Sequence, residues 1–415
     1  MSTFTTEQHS PVGERPLQGH RVAIVTASCF DSDPRPRRAA YAMAEAGMRL
    51  DVFCLAGQHA TSNPPEHDFI KVNRLHLTRK RSGILRYILE YVVFFMWAFI
   101  RLTFGCLRGR YDIVHVHNMP DFLVFTAFVP KLLGARVILD LHDPTPEVFE
   151  TVFKLPREHA RVRLMTVVER VSVRFADAVL TPNISFKKLF ERTGYGEKIH
   201  IIMNSPDEDI FTPSRRNGSS GSSSTAPAKR SQNGRLRLMY HGLIAERHGL
   251  HILVDAMARL AKDIPGARLD IYGDPPNGYL DSILARAQEK GMRDRIRYHG
   301  FKSLEDIARL IGKIDLGIIP NLPGPFTDIN LPTRIFEYLA VGKPVIAPRT
   351  RGIQDYFGEN DIIFFEPGDS EDLARAIRDA HNYPALVETV IERGGAIYKL
   401  HRWSEERRRL LDIVS

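Results

Sequence analysis

Short apolar runs separated by helical stretches recur along almost the whole chain, and this alternation constrains the fold more than any other feature. "RVAIVTA" at 21–27, "LDVFCLA" at 50–56, "DIVHVHN" at 112–118, "ARVILDLHD" at 135–143, "DAVLTPN" at 177–183 and "KIHIIMNS" at 198–205 read as strands. A helical pattern around 36–47 closes at Gly47. Such runs suit strands buried on both faces, so the spacing predicts a doubly wound α/β domain. Residues 214–234, "SRRNGSSGSSSTAPAKRSQNG", read as a disordered loop. The rhythm then restarts with "LRLMYHG", "ARLDIYGD", "IRYHGF", "DLGIIPN", "KPVIAP" and "DIIFFEP", a second Rossmann-like domain. A length of 415 residues fits two cores. We expect a loose polar tail over 1–20 and domains over 21–207 and 208–400, with the site at the strand carboxyl ends, in the cleft where the two domains face each other.

Cys29, Cys54 and Cys106 lie far apart, which argues against a disulfide framework and a zinc site. The start of the chain shows no apolar signal-peptide core, so a cytoplasmic location is expected. Lys and Arg exceed Asp and Glu by 57 − 49 = 8, a surface that attracts phosphates or acidic headgroups.

"DINLPTRIFEYLAVGKPVIAP" at 328–348 combines a helix start at Pro332, a left-handed stop at Gly342 and a buried strand at 345–347. At ~100° per residue, Ile335, Phe336, Leu339 and Ala340 share one face while Thr333, Arg334 and Glu337 fall on the other. Glu337 is either a solvated helix acid or a site residue. "HGLIAERHG" at 241–249 is a glycine turn leading into a helix, a natural phosphate cradle, with Arg247 as a bidentate donor or a plain surface residue. "DLHD" at 140–143 ends a strand before Pro144 and Pro146, placing His142 and Asp143 at the rim of the sheet. Asp31, Asp33, Arg35 and Arg37 in "SCFDSDPRPRR" either touch an acceptor or phosphate, or belong to a solvated loop.

Together "YHGLIAERHGLHILVDAM", "DIYGD", "YHGF", "LPTRIFEYLAVGKPVIA" and "DLHDPTPEVF" resemble the retaining GT-B nucleotide-sugar glycosyltransferases of group 1, the glycogen-synthase-like superfamily, in its bacterial polysaccharide form. The resemblance runs over nearly the whole chain from about residue 20. It implies an acceptor domain first and a donor domain second, with the C-terminal helix 401–415 crossing back. It implies that Glu337 binds the donor ribose and that Gly242, Arg247 and His248 face the diphosphate, although Leu243 and His248 stand where the family carries Arg and Lys. His142 would contact the donor sugar beside Asp143; Phe301, Asp328, Asn330 and Thr333 complete the donor side, and the acceptor side takes Asp31, Asp33, Arg35 and Arg37. Glu147 reads as a helix-start acid. Ile329 occupies the place of a second family acid, leaving Asp328 or the amides of Phe326–Asn330 to take its part. The resemblance further implies a UDP- or GDP-sugar co-substrate, no cofactor, no metal, and retention with a diphosphate oxygen accepting the acceptor proton. A non-catalytic scaffold subunit is the alternative reading.

Residues 79–110 hold an unbroken apolar run at 91–100 between basic ends. The run lies between strands of one sheet, so an interfacial helix fits better than a span, with an ordinary core or dimer helix as the bland reading. The interfacial reading implies an anionic membrane surface, a lipid-linked or glycan acceptor, and residence on the inner face of the cell membrane. The basic helix at 401–414 carries Glu405 and Glu406 beside Arg407–Arg409, which speaks against nucleic acid.

Overall fold

The computed structural model describes residues 17–57, 67–77, 84–213, 235–276 and 278–415, without the side chains of 84–88. Most of the expected tail, the 214–234 segment and the basic residues Arg79, Lys80 and Arg81 lie outside these. Each apolar run read from the sequence forms a strand. The first sheet holds β1 (Arg21–Cys29), β2 (Arg49–Leu55), β3 (Ile70–Leu75), β4 (Ile113–His117), β5 (Arg136–Asp140), β6 (Ala178–Thr181) and β7 (Ile199–Ile201), in the order β3-β2-β1-β4-β5-β6-β7. β1 pairs in parallel with both β2 and β4, which makes the chain reverse direction across the sheet there. Val22–Val25 and every residue of β4 are buried, as strands covered on both faces require.

The second sheet holds β8 (Arg235–His241), β9 (Gly266–Tyr272), β10 (Ile296–Tyr298), β11 (Leu316–Ile318), β12 (Val345–Pro348) and β13 (Ile363–Phe365), in the order β10-β9-β8-β11-β12-β13. Its two faces feed separate cores. Leu236, Leu238 and Tyr240 of β8 pack with Leu253 and Met257 of the Leu250–Arg259 helix and Leu373 and Ile377 of Ser370–Asn382. Met239, one residue out of phase, joins the opposite core with Ile307, Ile311, Phe336 and Leu339. The two-residue side-chain period thus builds a layer of helices on each face.

Contacts divide the described chain into two units. One comprises residues up to Leu141 with Val171–Val179 and Arg407–Ser415; the other comprises His142–Arg170 and Leu180–Glu406. Residues 142–170 and 180–207, grouped with the N-terminal half by the sequence rhythm, fall in the second unit, and the end of the C-terminal helix falls in the first. β3 has no counterpart among the expected strands. It sits at the sheet edge and none of its residues is fully buried, so its apolar signal is weak.

Close packing at one glycine fixes the helix that carries the site. A Cβ on Gly317 of β11 would stand 2.4 to 2.5 Å from three ring carbons of buried Tyr338. Gly317→Ala is therefore expected to lose about 1–3 kcal/mol, the usual cost of overpacking, as a lower urea midpoint. An unchanged midpoint would show that the Tyr338 ring is free to move.

Candidate functional site

The Thr333–Ala340 helix starts from Pro332, which is its cap rather than its first residue, and stops at Gly342 with φ +74°. Ile335, Phe336, Leu339 and Ala340 are buried, while Thr333, Arg334 and Glu337 are half-buried, the two faces the sequence predicts. Glu337 is not a solvated acid. Its Oε2 lies 2.5 Å from His241 Nε2. His241 Nδ1 lies 2.9 Å from the Tyr338 hydroxyl, which donates to the Met239 carbonyl at 2.9 Å. Because that hydroxyl hydrogen is given to Met239, Tyr338 accepts from Nδ1–H, and a second proton lies between Nε2 and the Glu337 carboxylate. The carboxylate is held by a charge-assisted bond and keeps Oε1 for another donor.

Gly242 follows His241 with φ +123°, and a Cβ there would approach Arg334 Nη1 at 3.2 Å. The turn runs through a short 3-10 stretch, Glu246–His248, to Gly249 with φ +64°, and the Leu250–Arg259 helix begins behind it. Only glycine fits at 249, since a Cβ would meet the Pro320 carbonyl at 1.9 Å. Partial burial lowers the pKa of Arg247, while Asp143 raises it and Arg334 lowers it, so these three side chains share one electrostatic neighbourhood. His248 does not add a charge to it. Burial, then Arg334 and Arg247, push its pKa down to about 3, and its Nδ1 lies 3.2 Å from Asn321 Oδ1. Although the resemblance leads one to expect His248 at the diphosphate, it brings no charge there. His248 is a neutral hydrogen-bonding group.

His142 and Asp143 follow the end of β5 after Leu141 and are half-buried. Asp328 is tied to Arg351 at 2.6 Å, and Asn330 begins the return to Pro332 with its amide on the Phe326 carbonyl. Phe301, after Gly300 with φ +76°, is exposed. All these residues belong to the second unit. Glu147 lies in the first turn of the Thr145–Phe153 helix, paired with Arg157 at 2.7 Å; burial is the first cause of its raised pKa.

The acceptor-side candidates lie in the first unit and are structural partners rather than a solvated loop. Arg35 is buried with its Nε 2.9 Å from both oxygens of Asp140. Asp33 caps the Pro34–Glu45 helix and accepts from Ser28 Oγ, Asp31 pairs with Arg74 at 2.9 Å, and Arg37 donates to the Asp31 carbonyl. Sequence spacing pointed to no metal cluster, yet β4 and β5 bring His115, His117 and Asp140 together, buried, with ligand atoms within 4.8 Å of one another. Arg35 already matches the Asp140 charge. Sequence reasoning also missed His241, Tyr338, Arg334 and Asn321 as site residues; the available signal was His241's place at the carboxyl end of β8.

Residues 235–382 match the family described as "Glycosyl transferases group 1", and residues 32–205 match the "Glycosyl transferase 4-like domain". The chain belongs to the group 1 glycosyltransferases. The lipopolysaccharide core biosynthesis glycosyltransferase LpsE of Rhizobium meliloti is 30% identical over 38% of this chain and 43% of its own length. The match spans less than half the length of the first curated relatives. Among solved structures, sucrose-phosphate synthase of Thermosynechococcus elongatus superposes with a TM-score of 0.72 at 20% identity, covering 95% of this chain and 98% of that one. Anabaena HepE in complex with UDP gives 0.70 at 16%, covering 95% and 99%. These likenesses establish the GT-B fold.

A histidine held neutral has a measurable linkage. The unfolded chain protonates His248 below about pH 6.5, whereas the folded chain does so only near 3, so acidification favours the unfolded state in that window. Stability conferred by this site rises with pH, by up to about 1.4 kcal/mol per unit. His248→Gln should flatten the fall in stability between pH 7 and pH 5 relative to the parent. Identical slopes in urea titrations would show that His248 is charged in the fold.

Proposed function

We propose that the chain transfers a sugar from a UDP- or GDP-sugar to an acceptor hydroxyl with retention of configuration, without a bound metal, on a lipid-linked glycan in cell-surface polysaccharide synthesis. The observation that carries the reading is Glu337, held by His241 at the carboxyl end of β8 with one oxygen to spare, whose two lone pairs would accept from a ribose diol. Arg247 supplies a permanent cation for the departing diphosphate, with Asp143 beside it. His142 holds the donor sugar. The acceptor attacks from the face the diphosphate leaves, and a diphosphate oxygen takes its proton, so no protein base is required. The relative named LpsE acts in lipopolysaccharide core synthesis, and the HepE structure holds UDP, both consistent with such a donor and product.

The lipid-linked acceptor rests on the Ile84–Arg108 helix. Phe94, Ala98, Leu102 and Cys106 are buried, while Leu89, Val93, Met96, Ile100, Phe104 and Leu107 form an exposed stripe; Leu89 is 61% and Leu107 70% exposed. Phe95 and Trp97 are half-buried, so the run is not simply core. Exposed Arg101, Arg108 and Arg110 flank the stripe, each contributing roughly 1 kcal/mol near an anionic surface. We read the helix as lying in the inner membrane interface, with the protein peripheral and cytoplasmic.

Nucleotide release from a panel of UDP- and GDP-sugars tests the activity. Glu337→Ala is expected to weaken donor binding in calorimetry while circular dichroism stays native; release without any dependence on Glu337 would overturn its role. Flotation with phosphatidylglycerol vesicles tests the surface. Binding should weaken with salt without vanishing, and Phe104→Asp with Leu107→Asp should abolish it. A parent that stays in solution at low salt, or dimerises through this face, would refute the membrane reading.

A further inference from the structure

The two family cations missing from this sequence leave a charge deficit at the diphosphate, with Leu243 in one place and neutral His248 in the other. The structure brings a different residue there. Arg334 lies three residues before Glu337, on the same face of the Thr333–Ala340 helix. Its Nη1 donates to the His241 carbonyl at 2.6 Å, and its guanidinium stacks over the Tyr240 ring at 4.8 Å. Nη2 reaches Asn321 Oδ1 at 3.4 Å, the same atom that faces His248. Its neighbours are therefore carbonyl oxygens and a ring, which orient a cation without neutralising it.

Arg334 is close enough to Arg247 that its positive charge disfavours the charge on Arg247. Among the described residues neither forms an ion pair with a carboxylate, although Asp143 lies in Arg247's neighbourhood. Two half-buried guanidinium groups kept together without a paired carboxylate are unfavourable until an anion arrives. Gly242 leaves the space beside Arg334 Nη1 clear, because any Cβ there would come within 3.2 Å of it.

We propose that Arg334 is the second diphosphate-binding cation of this chain, working with Arg247 and replacing the family's missing Arg and Lys. The inference rests on the donor reading above. It places the cation on the helix that carries Glu337, so ribose and diphosphate are gripped by residues one helical turn apart. A planar guanidinium fixed at its rear by the His241 carbonyl presents its remaining N–H groups to phosphate oxygens.

Calorimetry with UDP, UMP, GDP and GMP on the parent, Arg334→Gln and Arg334→Lys tests it. For the diphosphate that the parent binds, Arg334→Gln should weaken affinity roughly tenfold to a hundredfold, the usual loss of a hydrogen bond to a charged group, with a smaller loss for the monophosphate. Arg334→Lys should recover part of the diphosphate affinity and the salt dependence. Equal losses for diphosphate and monophosphate, or a lysine variant no better than glutamine, would assign Arg334 to holding the His241 carbonyl and overturn the proposal. Unchanged diphosphate affinity in Arg334→Gln would overturn it too and leave the donor reading standing. A folded parent that binds neither UDP nor GDP defeats the donor reading itself.

Discussion

A run of hydrogen bonds from Glu337 through His241 and Tyr338 to the Met239 carbonyl fixes the relation between one helix and the central strand of its sheet. Tyr338 passes over Gly317, which is paired with Met239 in the neighbouring strand and has no side chain to obstruct the ring. The phenol is thereby buried while its hydroxyl is satisfied, the condition for placing a polar group in a core. Everything offered to a ligand by this helix inherits that registration. Glu337 and Arg334 both reach residue 241, one to its side chain and the other to its carbonyl, so a shift of the helix would disturb both at once.

Charge in the same region is arranged by omission as much as by placement. His248 stays neutral beside two arginines, because an imidazolium there would be both desolvated and repelled. Asp328, the nearest candidate for the absent family acid, is neutralised by Arg351. What remains is a pair of arginines, with Asp143 beside Arg247, next to the oriented Glu337 carboxylate. A nucleoside diphosphate has the complementary pattern, with two hydroxyls to donate and a dianion to accept, and we propose it as the ligand on that ground.

The strands and the two faces of the Thr333–Ala340 helix were legible because they depend on local period and on Pro and Gly punctuation. β3 was not, since an edge strand with half-buried residues need not be strongly apolar. The weight of Glu337 and Arg247 came from a family pattern. The partners that orient them were invisible, because His241 and Glu337 are 96 residues apart and nothing in either local sequence announces the pairing. The same limit applies to the Arg35–Asp140 pair, 105 residues apart. A loop rich in Asp and Arg reads as solvated until the fold shows each charge tied to a distant partner, and His115, His117 and Asp140 gather only when β4 and β5 pair at His117 and Asp140.

The Ile84–Arg108 helix poses the opposite problem, a signal too strong for a simple reading. Among the described residues it is the one helix long and apolar enough to cross a membrane, with mean hydropathy 1.5 over Leu89–Arg108. Yet it connects strands of a sheet in which β2 and β4 both pair with β1, so a single crossing would require one sheet to be assembled from opposite sides of the bilayer. At ~100° per residue its buried residues Phe94, Ala98, Leu102 and Cys106 share one side, while the exposed Leu89, Val93, Met96, Ile100, Phe104 and Leu107 gather on the opposite side. A helix that served only a core would not leave six large apolar side chains exposed, and only 22% of the Leu89–Arg108 stretch is buried. One face committed to the fold and an opposite apolar face turned outward beside arginines suit a boundary between protein and lipid, which is why we propose that the helix lies on the membrane and not through it.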